Sequence, residues 1–335
     1  MAPFVWQDGE RLICFGTGTA ADAVAVLGGP GYALLTTERG AEAAPHVVDD
    51  AASVHIVAPG RVDELAGDLL GEVANERVVA LGGGRVIDVA KAIASASPRA
   101  GSGAGSVRAM AVPTTLSGAE MTRGHRRARG ASPDSPGVRP AVVVNDPALS
   151  ASQPVPELAA SALNALGHAA EGPCTPRSHP VALLTAIEAA RRLTAAFARP
   201  GEPDRDGLAL GALLAGYTID STGYGLHHVL AQTLVRVAGI GHGEANAIML
   251  PHSLSALAWR FPRQHDALAE AMAGDPSDVA AGICALTDHT QLRQLAVGPE
   301  LLDRCADAAA ERDELDLTPP RADRAELRAL YEHAR

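Results

Sequence analysis

Histidine and amide side chains in the second half of the sequence stand at spacings that suit acid–base or metal chemistry. Asn164 and His168 are four residues apart in a predicted helix, so both side chains leave the same helix face. His227 and His228 are adjacent, and His242 lies between two glycines. One histidine alone is more often a satisfied structural residue than a ligand. Together, the imidazoles of His168, His228 and His242 could form a catalytic metal site or a proton-transfer site.

Three consecutive glycines predict a second site, for an anion. The segment VVALGGGRVIDVAK, residues 78–91, passes from a predicted strand through residues 82–84 directly into a predicted helix. Backbone N–H groups and the positive helix end can then face a pyrophosphate. Ordering three consecutive glycines costs much conformational entropy, and a simple turn would not require all three, so we favour the phosphate site. Asp88 and Lys91 follow on this helix and could pair there. Lys91 is the only lysine of a chain that otherwise uses arginine, which indicates that a compact ammonium is needed at this position.

Hydroxyl side chains follow another predicted strand, in the motif PTTLSGAE. Thr114 and Thr115 either form an ordinary turn or supply hydroxyl groups to a ribose and an amide at the carboxyl end of the strand, where α/β sheets bind ligands. A further glycine motif, GTG at residues 16–18, is a weak signal by itself.

Two kinds of domain must position these residues. Residues 1–150 alternate short apolar runs with Ala-rich helical stretches, a pattern that predicts a parallel α/β domain with a buried sheet. The predicted strands are 32–37, 53–59, 77–84, 109–115 and 141–146, and helices are predicted at 20–28 and 62–75. Residues 151–335 are helical in nearly every segment, so an all-α domain is predicted there. Successive prolines near residue 150 mark the boundary.

Composition limits the partners of this chain. It has 28 Lys+Arg against 39 Asp+Glu, a formal net charge of −11, and the one dense arginine cluster, around Arg123, is short, so nucleic acid is a poor candidate. The four cysteines show no C-x-x-C spacing, the first residues do not resemble a signal peptide, and no run of 18 apolar residues occurs. We therefore expect a reduced, cytoplasmic protein that acts on a small molecule and contacts neither membrane nor nucleic acid.

The motifs then carry a family resemblance. The segments GGGRVIDVAKA, PTTLSGAEMT, NALGH, GLHHVLAQ and HGEANAIMLPH, in this order, resemble the iron-containing alcohol dehydrogenase superfamily and most of all its maleylacetate reductase branch. The resemblance implies an α/β dinucleotide-binding domain, an all-α carboxyl-terminal domain of the dehydroquinate synthase-like type, and an active site in the cleft between them. It implies NAD(P)H-dependent reduction of a 4-oxo-2-enedioate, of the maleylacetate to 3-oxoadipate type. We also expect a homodimer and a role in the catabolism of aromatic compounds.

Residue by residue, the resemblance assigns three groups of positions. The glycines would hold the pyrophosphate, and the threonines would lie beside the nicotinamide ribose. The expected cofactor-binding residues are Gly82, Gly83, Gly84, Arg85, Asp88, Thr114, Thr115 and Ser117. The expected catalytic residues are His168, His228 and His242, and the expected substrate-binding residues are Asn164, Arg123 and His227. We choose His228 over His227 for catalysis because adjacent helical residues point about 100° apart, so only one can face the other histidines.

The resemblance also bears on the metal. Asn164, His168, His228 and His242 would stand where metal-dependent relatives place an aspartate and three histidines. An amide oxygen and three neutral imidazoles leave the charge of a divalent cation unbalanced. We therefore expect no requirement for a metal, and we expect these four residues to hold one if it is present.

Three departures from the family pattern favour a divergent substrate. Arg85 replaces the serine that usually follows the glycines, Gln232 replaces a further histidine four residues after His228, and the loop after Glu120 is short and rich in arginine. Two alternatives stay open: a metal-dependent alcohol dehydrogenase that tolerates Asn164 as a ligand, and a nucleotide-binding protein that has lost catalysis. NADH and NADPH also stay open, because the Glu-Arg pair at residues 38–39 offers one group for a ribose diol and one for a 2′-phosphate.

Overall fold

The chain divides into two compact units. A computed structural model describes residues 2–73, 75–97, 106–198 and 201–335. Unit 1 is Met1–Gln153 and unit 2 is Pro154–Arg335, so the division falls a few residues after the predicted position at residue 150. A 3-10 turn at Pro147–Ser152 ends unit 1, in the Pro-rich segment that the sequence identified.

Unit 1 is built on a seven-stranded sheet of order β1-β2-β7-β6-β5-β3-β4. Its strands are β1 (Phe4–Asp8), β2 (Arg11–Phe15), β3 (Tyr32–Thr36), β4 (Ala51–Ile56), β5 (Arg77–Gly82), β6 (Arg108–Pro113) and β7 (Val142–Asn145). All five predicted strands are present. The five predicted strands pair with one another in parallel, which confirms the expected parallel α/β domain, and two further strands, β1 and β2, form an antiparallel hairpin at one edge of the sheet. The turn of this hairpin contains Gly9 with a φ of 60°, the left-handed conformation that tight hairpins use.

The centre of the sheet is buried and its edge is not. β5 and β6 are covered on both faces, and residues 78–81 of β5 are 0% exposed. β4 was predicted to be buried as well, but it is the outermost strand, and its Val54 and Ile56 side chains are 43% and 54% exposed. An apolar run alone does not tell a central strand from an edge strand. The functional motifs follow β5 and β6, which pair with each other in parallel up to Gly82 and Pro113.

The helices of unit 1 are mostly short. They are α1 (Ala23–Val26), α2 (Glu38–Ala43), α3 (Pro45–Asp49), α4 (Val62–Leu69) and α5 (Gly84–Ala96). The predicted helix 20–28 is a 3-10 turn at Thr19–Asp22 followed by α1. The predicted helix 62–75 ends at Leu69, and residue 74 lies outside the described residues. Among the described residues of this unit, only α5, directly after the glycines, is a long helix.

Unit 2 is helical throughout its described residues, as predicted. Its helices are α6 (Val155–Glu171), α7 (Pro180–Ala195), α8 (Arg205–Thr222), α9 (Leu226–Thr233), α10 (His242–Arg260), α11 (Pro262–Met272), α12 (Pro276–Cys284), α13 (Pro299–Ala310) and α14 (Arg324–His333). Proline occupies the first turn of α6, α7, α11, α12 and α13, where its missing N–H costs nothing. α6 is the central helix for function, because it packs against α7, α8 and α10 and also contacts α9.

No helix in the described part of the chain combines the length and the apolar character that a membrane span requires. The cysteines Cys14, Cys174, Cys284 and Cys305 are all free and buried.

Candidate functional site

The glycine turn of unit 1 leaves a helix end without a side-chain cap. β5 ends at Gly82, and α5 begins at Gly84, so Gly83 stands at the N-cap position. A glycine offers no oxygen to the first N–H groups of the helix, and no other described side chain caps α5 there. These N–H groups and the positive end of the helix dipole are therefore suited to an anionic ligand.

The three glycines are needed for space rather than for backbone conformation. None of them has a left-handed φ. A Cβ atom would lie 2.8 Å from Val86 Cγ2 at Gly82, 3.0 Å from Thr115 Cγ2 at Gly83, and 2.8 Å from Ser117 Cβ at Gly84. Close packing of the protein on itself therefore already accounts for the three glycines, independently of a bound phosphate. The same packing brings Thr115 and Ser117, two expected cofactor residues, against the turn, with Thr114 joined to Gly82 by a backbone hydrogen bond of 3.0 Å.

Lys91 holds the loop after β6 in place. Its side chain is fully buried, and its Nζ donates to Asp88 Oδ1 at 2.8 Å, to Ala119 O at 3.1 Å and to Gly124 O at 2.7 Å. Three divergent N–H bonds in a buried site suit a compact ammonium and not the planar fork of arginine, which accounts for the only lysine of the chain. Asp88, a residue expected to bind the cofactor, is the ion-pair partner of Lys91.

The chain after β6 contains a basic segment, residues 123–127, and a buried glutamate shortly before it in sequence. Arg123 and Arg85 are exposed, and Arg123 lines a cavity of about 440 Å³ together with His125, Arg126 and Arg127. Arg126 Nη1 lies 3.9 Å from Asp63 Oδ1 across this cavity. Close by in sequence, Glu120 is only 1% exposed, and burial raises its pKa to about 7 against the opposing effects of its backbone hydrogen bond, Lys91 and Arg11.

The GTG motif at residues 16–18 is satisfied internally. The buried carboxylate of Asp146 accepts hydrogen bonds from the backbone N–H groups of Gly18 at 2.9 Å and Ala20 at 3.0 Å through Oδ2, and from Ala148 through Oδ1. Because the carboxylate occupies these N–H groups, the motif is not suited to bind a phosphate. The sequence marked the glycines but not Asp146, which directly follows β7.

Unit 2 brings the predicted histidines together. Asn164 and His168 lie one turn apart on α6, His228 lies on α9, and the exposed His242 is the first residue of α10. The rings of His168 and His228 are nearly parallel, with centroids 4.8 Å apart and an angle of 16°. His242 lies close enough to lower the pKa of His168, His227 and His228. We call His168, His228 and His242 the histidine cluster.

His227 does not share the environment of its neighbour. Its ring is perpendicular to that of His228, at 86°, and is 0% exposed. Its Nδ1 lies 2.8 Å from Ser253 Oγ on α10, and a Cβ atom on Gly167 of α6 would lie 2.5 Å from its Nε2. His227 therefore fills the space between two helices, and these contacts suit a packing role rather than the expected contact with substrate.

Glu171 is a site residue that the sequence analysis missed. It is 0% exposed, and its Oε2 lies 2.7 Å from His228 Nδ1 while its Oε1 accepts the backbone N–H of His227 at 2.6 Å. An ionised carboxylate only accepts hydrogen bonds, so it holds the proton of His228 on Nδ1 and leaves Nε2 as the second functional atom. His228 Nε2 has no hydrogen-bond partner among the described residues. The available signal was a glutamate three residues after His168, on nearly the same helix face.

Burial favours the uncharged form of His168 and His228. It lowers the pKa of His228 to about 3, with a smaller lowering effect from His242, and it lowers the pKa of His168 well below its ordinary value. Burial also raises the pKa of Glu171. These lowered pKa values favour the neutral form of both imidazoles at pH 7.

The donor atoms of this cluster do not fit a divalent cation by charge. Asn164 supplies a neutral amide, the buried imidazoles are neutral, and the carboxylate of Glu171 is engaged by His228 and by the backbone. Among the described residues, no group of three or more His, Cys, Asp or Glu side chains is arranged to hold a metal ion. An anionic ligand, which would balance the charge of a divalent cation, is missing from the four predicted positions.

Comparison with known proteins finds similarity along nearly the whole chain. Residues 158–335 match the carboxyl-terminal part of the Fe-containing alcohol dehydrogenase family, and residues 61–147 match iron-containing alcohol dehydrogenase. Maleylacetate reductase 1 of Rhodococcus opacus is 32% identical over 337 residues, which cover 92% of this chain and 90% of that protein. Maleylacetate reductase of Rhizobium sp. (strain MTP-10005) is 30% identical over 364 residues, with 100% and 98% covered. The crystal structure of maleylacetate reductase from Agrobacterium tumefaciens has a TM-score of 0.83 to this chain at 27% identity, and the match covers 100% of this chain and 98% of that one.

Substitution of Gly83 tests the anion site. The added methyl group of Gly83→Ala would meet Thr115 and would lie at the uncapped end of α5, so we expect NADH to bind at least about tenfold more weakly, measured by fluorescence titration. Gly71→Ala is the matched control, because a Cβ there meets no atom within 4 Å. Equal NADH affinity in folded Gly83→Ala and Gly71→Ala proteins would show that the turn only packs.

Proposed function

The chain belongs to the iron-containing alcohol dehydrogenase family, in its maleylacetate reductase branch, and on this premise we propose that this NAD(P)H-dependent oxidoreductase reduces the carbon–carbon double bond of a 4-oxo-2-enedioate. The proposed reaction is of the type that converts maleylacetate to 3-oxoadipate. The observation that carries the proposal is the buried, neutral pair of His168 and His228, oriented by Glu171 in a chain similar over its full length to maleylacetate reductases. The alternatives, a metal-dependent alcohol dehydrogenase and a protein without catalysis, are less favoured.

The reaction requires a hydride, a place for developing negative charge and a proton. A bound NAD(P)H supplies the hydride, which adds to C2 of the enone and leaves the electron pair as an enolate on the C4 oxygen. A proton then adds to C3, which completes the saturated 4-oxo dioate. The protein must stabilise the enolate oxygen and hold the proton donor near C3.

His228 is the residue that we propose for the second and third tasks. Glu171 keeps a proton on Nδ1, so Nε2 is the atom that can face a ligand. The negative charge of a dicarboxylate favours the protonated form of a nearby imidazole, whose Nε2–H can then donate to the enolate or to carbon. His168 stacks on this ring and His242 is the exposed imidazole of the cluster, which supports auxiliary roles in substrate binding or proton exchange.

Unit 1 is the proposed cofactor-binding unit. The uncapped N-terminus of α5 supports pyrophosphate binding at residues 82–84, and Arg85 in the first turn adds an exposed cation that can pair with a phosphate. Thr114, Thr115 and Ser117 are proposed to contact the nicotinamide ribose or amide from the end of β6. NADH and NADPH both remain candidates.

We further propose a homodimer in the cytoplasm that acts in the catabolism of aromatic compounds. The two edges of the sheet support association, because both carry exposed apolar side chains: Val5 of β1 is 69% exposed and Ile56 of β4 is 54% exposed. Unpaired strand edges with apolar side chains are surfaces on which another chain readily pairs. The mass of the protein in solution, by light scattering, would test the dimer.

A substrate panel tests the proposed reaction. The wild-type protein should oxidise NADH or NADPH with 4-oxohex-2-enedioate far faster than with simple aldehydes or ketones, followed by the loss of absorbance of the reduced cofactor. The reason is that the proposed site stabilises an enolate and not an alkoxide. Oxidation with aldehydes alone would favour the alcohol dehydrogenase alternative, and none with any substrate would favour a protein without catalysis.

Substitution of the adjacent histidines separates catalysis from packing. His228→Ala should lower the rate of the chemical step by roughly 10²–10⁴-fold in single-turnover experiments, with little change in cofactor affinity, because it removes the proposed proton donor. His227→Ala is the matched control and should mainly lower thermal stability, since its ring is buried between two helices. Comparable activity losses in the two folded variants, or a larger loss in His227→Ala, would contradict this assignment.

The charge of the cluster predicts independence from metal. Activity should survive extensive chelation, and elemental analysis of protein purified without chelator should find far less than one equivalent of zinc or iron, because Asn164 supplies no charge to balance the cation. Asn164→Asp should raise the affinity for zinc, measured by titration, because it restores an anion. A full equivalent of metal on which wild-type activity depends would make the metal-dependent alcohol dehydrogenase the better description.

A further inference from the structure

A guanidinium group lies beside α9 with one of its edges unused. Arg312 donates from Nε to Glu314 Oε2 at 2.9 Å and from Nη2 to Glu314 Oε1 at 2.6 Å, and Nη2 also lies 3.1 Å from Gln232 Oε1. Its other terminal nitrogen, Nη1, is buried and has no hydrogen-bond partner among the described residues. The guanidinium therefore uses two of its three nitrogens for contacts within unit 2.

Tyr224 connects this group to the histidine cluster. Its hydroxyl donates to Glu314 Oε1 at 3.1 Å and lies 3.4 Å from Arg312 Nη2, while its ring centroid is 5.5 Å from that of His228. Gln232, the second contact of Arg312, lies one turn after His228 on α9. Two independent paths of contact thus connect the guanidinium to the proposed catalytic imidazole.

Burial of Arg312 Nη1 without an acceptor costs free energy, and a ligand that accepts its hydrogen bonds can remove this cost. A buried N–H of a charged group without an acceptor loses its hydration and gains nothing in return. Arg312 lowers the pKa of Glu314 to about 2, so that carboxylate stays ionised and fills one edge of the guanidinium only. A second carboxylate is the acceptor that matches the remaining N–H groups in charge and in geometry.

We propose that the Nη1 edge of Arg312 binds one carboxylate of the dicarboxylate substrate and so selects for the diacid; this inference rests on the proposed function. Tyr224 and Gln232 hold the guanidinium in position, and Glu314 is the counter-ion on its Nε–Nη2 edge. A purely structural role, in which Arg312 only fastens residues 312–314 to α9, would give no selectivity between substrates.

The test compares three enones that differ by one carboxylate. The substrates are 4-oxohex-2-enedioate, 4-oxohex-2-enoate, which lacks the C6 carboxylate, and 3-oxohex-4-enoate, which lacks the carboxylate on the alkene. Arg312→Met should lower kcat/KM for the diacid by about 10- to 100-fold, as expected for a hydrogen bond to a charged group. It should leave kcat/KM nearly unchanged for the monoacid that lacks the carboxylate bound by Arg312. We call this substrate the spared monoacid, and its identity shows which carboxylate Arg312 binds. Arg324→Met is the matched control, because this half-exposed arginine pairs with Asp303 and Asp307 on the surface.

A second variant keeps the test decisive if Arg312→Met does not fold. Glu314→Gln removes the competing negative charge, so the preference for the diacid over the spared monoacid should rise a few-fold. An equal loss of kcat/KM for all three substrates in folded Arg312→Met, or an unchanged preference in Glu314→Gln, would overturn the assignment of Arg312 alone. Wild-type protein that reduces none of the three would overturn the proposed function and this assignment with it.

Discussion

The hydrogen bond between Glu171 and His228 is the contact on which the site of unit 2 depends. A carboxylate that is 0% exposed must have all its oxygen atoms satisfied, and Glu171 finds its donors in the backbone and ring of the first turn of α9. This requirement brings the start of α9 to the carboxyl end of α6. Because His168 lies one turn before Glu171, the same contact brings the rings of His168 and His228 to within stacking distance.

A constraint of space has the corresponding role in unit 1. The parallel pairing of β5 and β6 ends at Gly82 and Pro113, and the loops that leave the two strands must pass each other. They do so at distances that leave little room for a Cβ on Gly83 and Gly84, and Val86 of α5 leaves little room for one on Gly82. Lys91 anchors the loop after β6 with an ammonium that is fully buried. The absence of side chains, which the packing requires, is also what leaves the N-terminus of α5 uncapped. The fold and the proposed cofactor site thus depend on the same three residues.

The parts that could be predicted from the sequence are those encoded by local patterns. Apolar runs identified the five parallel strands, and the one-turn spacing of Asn164 and His168 identified a shared helix face. The hairpin at the amino terminus was not predicted, and the exposure of β4 was missed because periodicity carries no information on strand order. Glu171 and Arg312 were missed for another reason. Their partners lie 57 and 80 residues away along the chain, so only the fold shows which polar groups meet.

The contact between Arg312 and Gln232 gives a physical meaning to the departure from the family pattern. A histidine at position 232 would offer an imidazole whose charge depends on its surroundings, and burial has already made the neighbouring imidazoles neutral. A glutamine cannot carry charge, but its amide oxygen accepts from Arg312, whose guanidinium stays charged at any physiological pH. Gln232 therefore carries no charge itself and contacts a permanent cation, Arg312, beside α9. A dianionic ligand next to neutral imidazoles needs such a cation, because hydrogen bonds from uncharged groups compensate only part of the hydration that its carboxylates lose on burial.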